Sequence, residues 1–180
     1  MNYHENSVPR RFREASLSQL DFPEEIMNRL NRWVKHPKNM LVFSGAAGVG
    51  KTHFSYALYN YFKEKNKILF KTEYDFFNEI RNSMTQTGGD YAYRTRTMAE
   101  YEVIWILDDI GSSQMTDWQK EVLSIFINAR YENMLPTIIT TNVWIRDMGV
   151  HFTPRIQSRL AATENVVIEL NAEDKRQNGM

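Results

Sequence analysis

At 180 residues with 42% hydrophobic side chains, the chain is long enough to bury a core as one domain of ordinary globular composition. Lys plus Arg and Asp plus Glu both number 22, so no net field announces a polyanionic partner and any such contact must be a local patch. The absence of cysteine excludes disulfides and cysteine-held zinc, and no run approaches the ~18 apolar residues of a membrane span, so the expectation is a cytoplasmic protein with no membrane partner.

Residues 1–22 are polar and basic, with Arg10, Arg11 and Arg13, and read as an arm or extended segment. PEEIMNRLNRWV follows with helical spacing: Pro23 and two glutamates suit a helix start, and Ile26, Leu30 and Trp33 share a face. His36-Pro37-Lys38-Asn39 breaks it, which divides the chain into an arm and helix over 1–39 and a core over 40–180. The core alternates short apolar runs with longer helical patterns. Strands are expected at Met40–Ser44, Ile68–Thr72, Val103–Leu107, Thr137–Thr141 and Val166–Leu170, and helices near 51–65, 74–86, 117–133 and 155–161. Continuous apolarity in VIWIL and TIITT indicates strands covered on both faces, hence an α/β fold with a parallel sheet between helices. Residues 85–97 are the least regular and read as a flexible connection. Trp118, Tyr131 and Trp144 suit either the core or an interface.

The first strand runs into GAAGVGKTHF, which fits G-x-x-x-x-G-K-[ST] through Gly45, Gly50, Lys51 and Thr52. Backbone N–H groups of Gly45, Ala46, Ala47, Gly48, Val49 and Gly50 would turn inward around phosphate oxygens, an approach that side chains at the glycines would block. Lys51 can place its ammonium on the terminal phosphates, Thr52 can offer its hydroxyl to Mg²⁺, and the helix that starts here aims its positive end at the same anion.

VIWILDDIG supplies the partner such a loop needs: an apolar strand ending in two acids, where open α/β sheets place ligands. Asp108 is assigned to Mg²⁺ through water and Asp109 to polarising the attacking water. TIITTN repeats the design and ends in Asn142, which orients the hydrolytic water or senses the terminal phosphate, or else simply terminates a strand. In FTPRIQSRLAA, Arg155 and Arg159 share a helix face, either as a solvated basic surface or as an arginine finger for a neighbouring subunit.

Taken in order, these motifs resemble an AAA+ ATPase of the helicase-loader type (DnaC- and DnaI-like), close to the replication initiator DnaA. VPRRFREASL resembles the segment leading into the loaders' ATPase domain, and His53 matches the histidine they carry after the Walker A threonine. ILDDIG resembles Walker B, PTIITTN sensor 1, and PRIQSRL the initiators' arginine-finger motif, which makes Arg159 the finger and Arg155 a supporting base. The terminal strand and short tail, VVIELNAEDKR, fit the same pattern. The resemblance implies a P-loop three-layer sandwich with a five-stranded parallel sheet in the order 5-1-4-3-2 and no C-terminal lid domain. It further implies ATP and Mg²⁺ as ligands, with Phe12 and the arginines around it near the base, and Lys51, Asp109, Asn142 and Arg159 as catalytic residues.

The implied partners are a replicative DNA helicase (DnaB-type) or a host helicase loader, single-stranded DNA, and a second copy of the chain through Arg159. The DNA would meet residues 73–101, with Arg81, Tyr91, Tyr93, Arg94 and Arg96 to bind phosphates and stack bases. Asp109 stands where loaders usually have glutamate, while initiators carry Asp-Asp, consistent with slow, assembly-dependent hydrolysis. The expectation is that no helicase-binding domain precedes VPRRFREASL, which starts at residue 8, and that a compact ATPase of this kind would suit a phage. Three roles stay open: loading a helicase, blocking or redirecting a host loader or helicase, and serving as a transposition helper ATPase.

Overall fold

The computed structural model describes residues 8–170, apart from 66 and 88 and the side chains of 86 and 87. The short tail expected after the last strand lies outside the described residues. Five parallel strands form one sheet: β1 (Met40–Gly45), β2 (Ile68–Thr72), β3 (Ile104–Ile110), β4 (Thr137–Thr141) and β5 (Val166–Leu170), in spatial order β2-β3-β4-β1-β5. Read from the other edge, this is the expected 5-1-4-3-2. The helices are α1 (Glu24–Lys35), α2 (Lys51–Phe62), α3 (Glu73–Thr87), α4 (Tyr91–Ala99), α5 (Asp117–Glu132), the one-turn α6 (Met148–His151) and α7 (Pro154–Leu160).

Successive strand residues feed opposite faces, which is why the apolar runs are continuous. Met40, Val42, Trp105 and Leu107 join residues of α3, α5 and α7, with Phe76, Trp105 and Phe126 packed ring to ring. Leu41, Phe43, Ile104 and Ile106 join α1 and α2 through Leu30, Trp33, Phe54 and Leu58 on the other side. Helices α2 and α7 therefore lie on opposite faces of the sheet.

Two expectations need correction. The stretch 85–97 is not a flexible connection throughout: α4 occupies Tyr91–Ala99. The Asp90 side chain accepts the Ala92 N–H and caps it, and Thr95, Met98 and Ala99 are buried, so local capping and tertiary packing override the irregular composition. Residues 8–22, the described part of the expected arm, are likewise docked. They make two short 3-10 turns, Arg10–Phe12 and Leu17–Gln19, and lie on α2. Asn60 Nδ2 donates to the carbonyls of Phe12 and Ala15 at 3.1 and 2.9 Å, and Phe12 stacks on Tyr56 at 4.6 Å between ring centroids.

Arg130 on α5 is fully buried and has no carboxylate among its partners. A guanidinium carries five N–H donors, and all five find acceptors here. Nε donates to Thr137 Oγ1, Nη1 to the carbonyls of Ala99 and Tyr101, and Nη2 to those of Val103 and Pro136, at 2.6–3.1 Å. Burial pulls its pKa down to about 9, so it stays protonated at neutral pH. The side chain thus ties the α4–β3 connection to the start of β4. Arg130→Lys keeps a charge but offers fewer donors in a different geometry, and should lower the unfolding free energy by about 3 kcal/mol. An unchanged urea midpoint would contradict that expectation.

Candidate functional site: a phosphate loop facing two carboxylates

Strand β1 delivers the chain into the loop, and α2 leaves it from Gly50, whose φ of 102° is a backbone conformation that side-chain-bearing residues rarely adopt. Gly45 has a different reason. A Cβ there would collide with the Leu170 carbonyl of β5, so Gly45 permits close strand packing rather than phosphate approach. Ala46 and Ala47 are exposed at the loop's tip and Val49 is buried beneath it. Lys51 is buried, and its ammonium donates to the carbonyls of Gly45 and Ala46 at 2.7 Å each, which holds it within the loop.

Asp108, 3% exposed, is the node that joins this loop to the sheet. Its Oδ2 accepts the Thr52 hydroxyl at 3.0 Å, and its Oδ1 accepts the hydroxyls of Ser55 and Thr140 at 2.7 Å each. The same Thr140 Oγ1 accepts the Asp109 N–H at 2.8 Å, so one hydroxyl fixes both acids. Strand β3 continues through the pair to Ile110 instead of ending before it, but its ladder with β4 is irregular between Leu107 and Ile110. Asp109 takes a left-handed φ of 61° there, and its Oδ1 accepts the Asn142 amide at 2.8 Å. That strained conformation turns the second acid toward the end of β4.

The arrangement therefore brings Lys51, Thr52, Asp108, Asp109 and Asn142 together as the sequence predicts. Ser55 and Thr140 were not anticipated, although Ser55 lies three residues after Thr52 on the same helix face. Glu73 was also missed. As the first residue of α3, it sends its carboxylate under the turn after Asp109, where it accepts the Gly111 N–H at 2.5 Å and the Ser113 hydroxyl at 3.2 Å.

Beside the loop lies a cavity of about 710 Å³, a volume that suits a nucleotide. Gly48, Val49 and Gly50 form one side, His53 and Phe54 another, and Arg11, Gln19, Leu20, Asp21 and Phe22 of the docked amino-terminal segment a third. His53 Nε2 hydrogen bonds Gln19 Oε1 at 3.1 Å and secures that wall. Phe12 does not line the cavity, because its ring is taken up by Tyr56.

Arg159 is not brought to the loop. On α7 it faces α5, where Nε donates to Asn128 Oδ1 at 3.3 Å and the guanidinium carbon lies 4.5 Å from the Tyr131 ring centroid. Arg155 is exposed and lines a groove of about 290 Å³ with Arg96, Glu121 and Asn128. Of the residues assigned to DNA, Arg81, Tyr93 and Arg96 are exposed, whereas Tyr91 packs toward Trp118 and Arg94 is half-buried. Trp118, Tyr131 and Trp144 are all half-buried.

Burial raises the carboxyl pKa of Glu73, and the hydrogen bonds from the 111–113 turn only partly offset this. A raised native pKa means the folded state binds the proton more tightly than the unfolded chain, so this contribution to stability is present in acid and is lost as pH rises through the native pKa. Glu73→Gln, which cannot ionise, should therefore gain stability relative to wild type between pH 4 and pH 7. Urea unfolding across that range checks it, and a gap that widens in the opposite sense would refute it.

A family model described as IstB-like ATP binding protein matches residues 12–160. Replicative helicase loader DnaI of Bacillus subtilis (strain 168) is 31% identical over 118 residues, covering 63% of this chain and 36% of its own length. The chain thus spans little more than a third of that relative. Among solved structures, the DnaC helicase loader superimposes with a TM-score of 0.69 at 27% identity, covering 89% of this chain and 99% of that one. Replication initiator DnaA bound to AMPPCP and single-stranded DNA has a TM-score of 0.71 at 16% identity, with 88% and 51% covered, and shares the fold. No helix among the described residues is long and apolar enough to cross a membrane. The chain belongs to the IstB-like ATP-binding proteins, ATPases of the AAA+ class built on the same P-loop fold as the helicase loaders.

Proposed function

We propose that this ATPase binds ATP with Mg²⁺ in the cavity beside Gly48–Gly50, hydrolyses it slowly and in an assembled state, and uses it to load or remodel a replicative DNA helicase on single-stranded DNA in the cytoplasm. The observation that carries the catalytic part is the contact of Asp109 with Asn142 beside the Thr52–Asp108 pair. Gly48, Val49 and Gly50 line the cavity, so the loop N–H groups with Lys51 would bind the phosphates. Thr52 and Asp108 fit Mg²⁺: both present oxygen, the donor that this hard cation takes, and they lie within 3.0 Å of each other. When bound, the ion would screen the charge that builds on the phosphates. Among the described residues no group of three or more His, Asp or Glu side chains gathers, so such an ion would draw its other ligands from nucleotide and water.

Asp109 would accept a hydrogen bond from the attacking water, a role supported by the Asn142 amide that donates to its carboxylate. Arg159 lies on the opposite face of the sheet from α2, which supports action on a neighbour's nucleotide rather than its own. The helicase role rests on likeness to DnaI and DnaC, and the exposed Arg81, Tyr93 and Arg96 support contact with a single strand. A second reading, a transposition helper ATPase, is favoured by the family match itself.

Affinity capture of the tagged chain with ATP should recover a replicative helicase, and DNA-binding titrations should favour single strands. Recovery of a transposase with preference for duplex DNA would select the second reading. Lys51→Ala should abolish ATP binding in a fluorescent-nucleotide titration. Asp109→Asn should bind ATP normally but hydrolyse it at least about tenfold more slowly, and Arg159→Ala should cost roughly 10³–10⁵ in the assembled state only. Normal turnover by Asp109→Asn would remove the assignment of that acid.

A further inference from the structure

Two arginines, Arg130 on α5 and Arg159 on α7, are used in contrasting ways. Arg130 has every donor occupied by the protein. Arg159 commits only Nε, to Asn128 Oδ1 at 3.3 Å, and rests one guanidinium face 4.5 Å from the Tyr131 ring centroid. Its Nη1 and Nη2 donors have no hydrogen-bond partner among the described residues, although the side chain is only half-exposed. A planar fork held by its stem and face, with its terminal nitrogens uncommitted, suits bidentate contact with phosphate oxygens.

The surroundings keep it so. The nearby Glu164 carboxylate accepts the Tyr131 hydroxyl and makes no ion pair with Arg159 among the described residues. The backbone is pinned as well: Asn165 Nδ2 donates to the Arg159 carbonyl at 2.7 Å while its Oδ1 accepts the Met40 N–H at 3.0 Å, fastening the end of α7 to β1. Asn128 also lines the groove that holds Arg96, Glu121 and Arg155, where Arg96 is paired with Glu100 at 3.0 Å and Arg155 has no ion pair among the described residues.

We propose that Tyr131 and Asn128 are positioning residues that hold the Arg159 guanidinium ready for the terminal phosphates of a nucleotide bound by a second copy of this chain. The proposal rests on the reading of Arg159 as a finger acting between molecules. Tyr131 supplies the platform and, through its hydroxyl, diverts Glu164, so that an acid does not capture the fork before a phosphate reaches it.

The test measures phosphate release from ATP by the full chain across protein concentrations, with KM for ATP determined alongside. Tyr131→Leu and Asn128→Ala should each lower turnover in the concentrated, assembled state by about tenfold, the upper range for a cation–π platform, and leave KM within about twofold. Tyr131→Phe combined with Glu164→Gln keeps the ring and removes the competing charge, so it should retain wild-type turnover to within about twofold. If Arg159→Ala loses turnover while Tyr131→Leu and Asn128→Ala do not, the positioning proposal is overturned and the finger stands. If Arg159→Ala itself turns over normally at high concentration, the finger reading falls and takes the proposal with it. Equal losses in Tyr131→Leu and the Phe/Gln pair, each with a lowered unfolding temperature, would also overturn it, since a structural role alone would produce them.

Discussion

A buried carboxylate that accepts three hydroxyls, at Asp108, is the contact on which the arrangement of the site depends. Removing an ionised acid from water costs several kcal/mol unless donors replace the lost hydration. Here they come from two positions of α2 and one of β4. The helix after the phosphate loop, the strand bearing the acids and the strand ending in Asn142 therefore share one electrostatic anchor. Because Thr140 also receives the Asp109 N–H, the left-handed turn at the second acid is held by the same group that satisfies the first.

Strand β3 is bracketed by this anchor at one end and by Arg130 at the other. Arg130 collects the carbonyls of Ala99, Tyr101 and Val103 just before the strand begins, and Asp108 collects hydroxyls near its close. Both charges are satisfied by neutral dipoles instead of each other. The ion pairs found among the described residues are surface contacts such as Arg96–Glu100, and pairs of that kind contribute little. Strand β3 is thus held near both ends by charge–dipole contacts inside the fold.

Much of this was legible in the chain. Continuous apolar runs placed all five strands, and the glycine-lysine-threonine loop with its downstream acids and asparagine named the central residues, because each motif is local in sequence. What escaped depends on contacts between distant segments. Ser55, Thr140 and Glu73 carry no signature of their own; each matters only because folding sets it against a turn or carboxylate tens of residues away. Gly45 looked like part of a phosphate cradle, yet its lack of a side chain serves the approach of β5. Helix α4 was hidden by the loop-like composition before it, where Asp90 is in fact the cap. Arg159 could be found from the motif, but its cradle of Asn128 and Tyr131 could not, since those residues read as an ordinary helix face.

The docked amino-terminal segment has a mechanical meaning. Residues 19–22 form a wall of the cavity beside the loop, and the segment is held both by polar ties, Asn60 gripping main-chain oxygens and His53 with Gln19, and by Leu17, Leu20 and Phe22 packed on the cluster around Phe43 and Phe54. None of these ties belongs to the sheet's hydrogen-bond ladder, but the Phe22 contacts join the segment to the same core that β1 and α2 share. A wall of the cavity is therefore built from the core itself, so a change that loosens Phe22 would be felt at the mouth of the cavity as well as beneath it.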